Sequence, residues 1–175
     1  MYEKLKKLIR DVPDYPKKGV VFKDITTLIK NGSAFKEIID ILYDKCKDKK
    51  IDLVVAIESR GFILGGALAL RLGVGIIPVR KKGKLPSYTV FEKYDLEYGT
   101  DSLEMHKDAI FKDQRILIVD DLLATGGTLE ATSRLVERLG GVVAGILVMI
   151  ELLYLKGREK LLKYDFFSII QYEKE

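Results

Sequence analysis

The chain has 175 residues, 47% of them hydrophobic and 32% charged, with one cysteine and a formal charge of +4. That length suits one domain (1–175), burying roughly 70% of the surface its unfolded chain exposes. No apolar stretch is long enough for a membrane helix, a lone thiol excludes an internal disulfide, and the modest charge argues for small anionic ligands at least as well as for nucleic acid.

The opening MYEKLKKLIR mixes charge into its apolar residues and lacks a signal-peptide core, so a cytoplasmic location is expected. Apolar runs then alternate with amphipathic ones, the pattern of a parallel sheet covered on both faces. A helix is predicted over 33–46, ending at Cys46, whose setting in DKCKDKK suggests a polar helix end. Strands are predicted at LVVAIE (53–58) and VGIIPVR (74–80), with a helix over 62–72 between them. Beyond 80 the alternation breaks. Residues 81–113 are rich in charge, Gly and Tyr, and long connections in compact domains are usually functional or disordered. RKKGKLP (80–86) puts four cations just after a strand, at the edge where open α/β sheets bind ligands. The following YDLEYGTDSLEMHKDAI (94–110) shows no clear amphipathic period and reads as a hairpin or lid. The strand RILIVDD (115–121), a helix over 128–139 and the strands VVAGILVMIEL (142–152) and YDFFSII (164–170) complete the chain. The expected architecture is a five-stranded, mainly parallel sheet with helices on both faces.

The most informative segment is VDDLLATGGT (119–128). Four branched apolar residues stop at Asp120 and Asp121, and a small-residue loop leads straight into a helix. Gly126 and Gly127 permit close backbone approach, and a helix N-terminus offers unpaired N–H groups to an anion. Thr125 and Thr128 add hydroxyls. The two carboxylates would repel a phosphate but accept hydrogen bonds from sugar hydroxyls, so a ribose 5-phosphate is the simplest ligand with both halves. No Lys follows the glycines, which separates this loop from that of nucleoside triphosphatases. An aspartate cap or a glycine turn alone would be unremarkable; their combination in this order favours function.

This segment resembles the signature by which type I phosphoribosyltransferases bind phosphoribosyl pyrophosphate. With DYPKKGVVFKDIT (14–26), ESRGF (58–62), RKKGKLP and LEYGTDSLE (96–104), in order and spacing, the chain resembles the adenine-specific branch of that superfamily. Departures are small: Lys18 stands where the family often has Pro, and Lys23 where it often has Arg.

The resemblance implies the type I phosphoribosyltransferase fold, with a small N-terminal hood over about 1–32 and a flexible lid loop over about 81–113. It implies that adenine and phosphoribosyl pyrophosphate give AMP and pyrophosphate with Mg²⁺, an ion held mainly by substrate oxygens and water rather than by protein ligands. A homodimer is implied, with neither nucleic acid nor membrane as a partner. Asp120 and Asp121 would hold the ribose hydroxyls, and Ala124, Thr125, Gly126, Gly127 and Thr128 the 5′-phosphate. Arg60, Arg80 and Lys84 would meet pyrophosphate, with Lys81 a weaker candidate, and a cis peptide would join Ser59 to Arg60. Glu97, beside Tyr98, would assist proton transfer. Val21, Phe22 and Lys23 lie on the base side, where Phe22 and Leu122 would sandwich the ring. A 6-oxopurine transferase would share Asp120 to Thr128, as would a regulator that keeps the pocket without catalysis.

Overall fold

The five apolar runs form the parallel part of a mixed sheet in the computed structural model, which describes residues 2–95 and 100–174. In chain order the elements are α1 (Glu3–Lys6), β1 (Arg10–Val12), β2 (Phe22–Asp24), α2 (Thr26–Ile29), α3 (Gly32–Cys46), β3 (Leu53–Ile57), α4 (Gly61–Leu72) and β4 (Gly75–Lys81). There follow β5 (Thr89–Asp95), β6 (Thr100–His106), β7 (Arg115–Leu123), α5 (Gly127–Arg138), β8 (Val142–Leu152), two 3-10 turns (Leu153–Leu155 and Gly157–Leu161) and β9 (Phe166–Tyr172). The strand order is β5-β6-β4-β3-β7-β8-β9, with β4, β3, β7, β8 and β9 parallel. β1 and β2 pair separately as an antiparallel ribbon within the N-terminal segment.

The sheet therefore has seven strands rather than five. The extra pair comes from the segment that reads as a hairpin or lid: β5 and β6 form an antiparallel hairpin that joins β4 through Arg80↔Glu104 and Lys81↔Leu103. Its alternation is masked because charged residues share the inward side with apolar ones. Val90 and Tyr94 are buried, but Glu92 between them is half-buried and paired with Arg134 and Arg138 of α5. Glu104 is buried mid-strand.

Side chains alternate across the central strands and fill two cores. Val54, Leu117, Val119, Leu147 and Met149 pack with α3 and α4 on one face. Val55, Ile57, Ile116, Ile118, Ile146 and Val148 pack with α5 and the β5–β6 hairpin on the other. Each Ile or Leu buried this fully contributes about 1.5–3 kcal/mol relative to exposure. α3 starts where Asn31 accepts the Ala34 N–H at 3.1 Å, an N-cap that stabilises the first turn. At its other end Cys46 is buried in the core, not set on a polar helix end, and burial pushes its thiol up to about 11. No helix among the described residues is long and apolar enough to cross a membrane.

Candidate active site at the carboxyl ends of the strands

The adjacent strands β4, β3 and β7 deliver Arg80, the Glu58 to Arg60 turn and the Asp120–Asp121 pair to one edge of the sheet. Both aspartates still belong to β7, which runs two residues beyond them, and both are buried. Asp120 Oδ1 accepts the Asp121 N–H at 2.9 Å. The start of α4 crosses so close that a Cβ on Gly61 would lie 2.8 Å from Asp120 Oδ1, so this position requires glycine. Burial, reinforced by the Asp121 charge, pushes the Asp120 carboxyl well above the usual carboxylate range. Burial also raises Asp121, against the opposing pull of the Arg60 guanidinium. Arg60 Nε stands 2.7 Å from Asp121 Oδ2, near enough for an ion pair, yet Oδ2 has no well-aligned hydrogen-bond donor among the described residues.

A cleft of about 430 Å³ opens here, lined by Ile57, Glu58, Ser59, Arg60, Lys81, Asp120, Asp121, Leu122 and Thr128. A second cavity of about 800 Å³ adjoins it at Arg60 and Leu122. Val21, Phe22 and Lys23 line one part of that cavity, and Leu122, Ala124 and Thr125 another. The Arg60 guanidinium lies 4.7 Å from the Phe22 ring centroid, and the ring of Tyr15 meets Phe22 edge-on at 5.2 Å. Lys23 lines the cavity, but its ammonium is tied to Asp11 at 2.9 Å and lies over the Tyr172 ring. Leu152, Tyr154 and Leu155 also line this cavity, and sequence reasoning missed them. As ordinary apolar and aromatic residues at the end of a strand, they carry no motif that could have marked them.

The loop from Ala124 turns at Gly126, which has a left-handed φ of 82°, and α5 begins at Gly127 without a side-chain cap. Its first N–H groups therefore point out of the helix, as an anion cradle requires.

Arg80 and Lys84 converge on one carboxylate. Arg80 Nε lies 2.7 Å from Glu58 Oε2 and Lys84 Nζ 2.8 Å from Glu58 Oε1. Burial pushes the Glu58 carboxyl up, but hydrogen bonds from Lys84 and Arg80 outweigh it and hold the pKa low. The Lys84 and Leu85 N–H groups both donate to Glu104 Oε1 at 2.9 Å, and Thr89 donates to Oε2 at 3.2 Å. Lys81 pairs with Asp101 of β6 at 2.9 Å. The non-proline cis peptide joins Glu58 to Ser59, one bond earlier than the resemblance implied. Glu97 and Tyr98 lie outside the described residues.

The carboxyl ends of the parallel strands, the buried acid pair of β7 and the uncapped start of α5 together match the expected phosphoribosyltransferase fold. The sequence model of the phosphoribosyl transferase domain matches residues 24–174. The adenine phosphoribosyltransferase of Thermoanaerobacter sp. (strain X514) is 54% identical over 170 residues, spanning 97% of this chain and 98% of that protein. The crystal structure of adenine phosphoribosyltransferase from Thermoanaerobacter pseudethanolicus superposes with a TM-score of 0.95 at 53% identity, covering 98% of this chain and all of that one. That of the Saccharomyces cerevisiae enzyme, complexed with an imino-altritol bisphosphate and adenine, gives 0.89 at 40% identity over 95% and 97%. The chain belongs to the phosphoribosyltransferase family and, within it, to the adenine phosphoribosyltransferases.

Proposed function

We propose that this chain transfers the 5-phosphoribosyl group from phosphoribosyl pyrophosphate to adenine, releasing pyrophosphate and giving AMP in purine salvage. The observation that carries the reading is the buried Asp120–Asp121 pair, which lines a cleft adjoining a cavity of about 800 Å³ and is followed in sequence by the left-handed Gly126 turn into an uncapped helix.

The C1–O bond to pyrophosphate breaks as N9 of adenine approaches, so positive charge develops on the ribose. Asp120 and Asp121 accept hydrogen bonds from its 2′ and 3′ hydroxyls and stabilise that charge. Ala124 to Thr128 bind the 5′-phosphate and fix C1 against the nucleophile. Arg60, Arg80 and Lys84 neutralise the leaving pyrophosphate, the last two by exchanging Glu58 for a more highly charged partner. Phe22 and Leu122 hold the base by its faces, while backbone groups near Val21 read its edge. Lys23 contributes to the wall of the base cavity, its charge being engaged by Asp11. Glu97, supported by Tyr98, moves the N9 proton from the lid once water is excluded.

The residues fit Mg²⁺. Asp120 and Asp121 offer hard oxygen atoms at the cleft, and by the family resemblance Mg²⁺ would be held mainly by substrate oxygens and water. When bound, the ion supplies Lewis-acid stabilisation of the pyrophosphate. A homodimer and a cytoplasmic location are part of the same proposal, supported by the family resemblance.

Steady-state assays with adenine, hypoxanthine, guanine and xanthine, with Mg²⁺ withheld or supplied, test the proposal. Magnesium-dependent turnover restricted to adenine supports it; preference for another purine refutes the substrate, and no turnover refutes the reaction.

A further inference from the structure

The geometry points to Gly157, held in place by the Arg158–Glu151 pair, as a positioning residue for the 5′-phosphate loop, an inference that rests on the function proposed above. Gly157 opens the second 3-10 turn, directly after Lys156 in a left-handed conformation at φ 53°. Its backbone presses against the back of the Ala124 to Gly126 turn. A Cβ on Gly157 would lie 2.1 Å from the Ala124 carbonyl oxygen and 2.8 Å from the Gly126 nitrogen; a Cβ on Gly126 would lie 2.5 Å from the Gly157 oxygen. These atoms are backbone on both sides, so no flexible side chain can yield. The loop itself must move.

What stops the turn from moving instead is the residue after Gly157. Arg158 grips the buried Glu151 with two bonds, Nε to Oε1 at 2.8 Å and Nη2 to Oε2 at 2.5 Å. Paired charges in this fork geometry are directionally strict. Ser168 of β9 donates to Glu151 Oε2 at 2.6 Å, and Gln171 reaches the same oxygen at 3.2 Å. Glu151 is itself the register partner of Leu123, the residue from which the phosphate loop departs. The turn is thus anchored to β8 and β9 beside the root of the loop and pushes on its middle. Tyr154 and Leu155 of the same connection line the base cavity. One short bracket therefore sets where the phosphate sits relative to the base.

Gly157→Ala is the direct test. It should raise KM for phosphoribosyl pyrophosphate about tenfold, the equivalent of roughly one charge-assisted hydrogen bond to the phosphate, with a smaller effect on kcat and none on KM for adenine. Calorimetry should show AMP affinity falling by a similar factor while affinity for adenosine, which lacks the 5′-phosphate, stays level. A general loss of structure would weaken both ligands together. Arg158→Lys keeps the charge but removes the fork, and should reduce the AMP to adenosine affinity ratio in the same direction by a smaller factor. The inference is overturned if folded Gly157→Ala keeps the wild-type ratio, or loses both ligands equally. Should that variant fail to fold, an unchanged ratio in Arg158→Lys overturns it. Wild-type protein that neither transfers phosphoribosyl groups nor binds AMP removes the underlying function, an outcome visible before any variant is made.

Discussion

Arg60 Nε stands 2.7 Å from Asp121 Oδ2, so the cation proposed for pyrophosphate and an acid proposed for ribose face each other across the cleft. Burial raises the Asp121 pKa, and Arg60 is the main opposing influence. Arg60→Gln removes that opposition, so the Asp121 pKa should rise further and the ionised form be lost at a higher pH. Affinity for phosphoribosyl pyrophosphate should fall about tenfold or more near neutral pH, with the deficit widening as the pH drops. Calorimetric titrations of both proteins from about pH 5 to about pH 8 check this. Parallel pH profiles would show that Arg60 does not tune the acid.

Asp120→Asn should separate stability from function. The Asp120 carboxyl titrates well above its usual range in the folded protein, chiefly through burial, whereas in the unfolded chain it titrates near about 3.9. Between those values the folded state holds the proton that the unfolded state has released, so stability declines as pH rises through this window and stays reduced above it. An asparagine Oδ1 can still accept the Asp121 N–H and carries no charge. The variant should melt several degrees higher near neutral pH, at about the size expected for relief of one strained polar site, with no gain below about pH 3.9. Turnover should drop by about 10²-fold or more as the developing ribose charge loses its partner. Thermal melts at the two pH values and steady-state rates decide it.

The parallel strands were legible because they are apolar on both faces. Val54 and Val55, or Leu117 and Ile118, feed opposite cores, so the run reads as continuous. β5 and β6 were legible only as a hairpin or lid, not as strands of the main sheet, because Glu92 and Glu104 occupy sheltered positions and their partners, arginines of α5 and amides of the 84–85 turn, come from distant sequence. In the site, Asp120 and Asp121 stand out because charge interrupts apolar sequence at a strand end, whereas Arg60 is marked only by the resemblance of ESRGF to the family's motif. Lys23 was visible as a residue type, but its partner Asp11 lies across a strand pair that only folding creates. Tyr154, Leu155 and Gly157 gain significance only from their proximity to Leu122 and Ala124.

Glu104 gives a third test, since its buried carboxylate gathers the Lys84 and Leu85 amides and the Thr89 hydroxyl. Burial pushes its pKa up, yet those hydrogen bonds outweigh it and keep the group ionised. Glu104→Ala leaves the donors unmatched and should cost about 2–4 kcal/mol in chemical denaturation. It should also release the turn that presents Lys84. Product inhibition by pyrophosphate should weaken several-fold while AMP affinity holds, because AMP places no group there. Equal weakening of both ligands would mean that Glu104 supports the whole site rather than its basic wall.

Glu97→Gln tests the proton-transfer step. β5 and β6, which precede and follow this position in the sequence, are fastened beside the cleft: Lys81, which lines it, pairs with Asp101 at 2.9 Å, and the Tyr94 hydroxyl donates to the same Asp101 oxygen at 3.3 Å. Burial is the main reason the Tyr94 pKa is pushed up to about 12, so that hydroxyl stays a donor throughout the working range. A carboxylate that serves proton transfer should act in the chemical step and contribute little to initial binding. The amide is nearly isosteric but takes up no proton, so kcat should fall about 10²- to 10⁴-fold while the Kd values for phosphoribosyl pyrophosphate and AMP stay within about twofold. Single-turnover rates at saturating substrates isolate the chemical step. If the variant turns over as fast as wild type, the acid–base role does not belong to Glu97, and loss of affinity with unchanged kcat would reassign it to ligand binding.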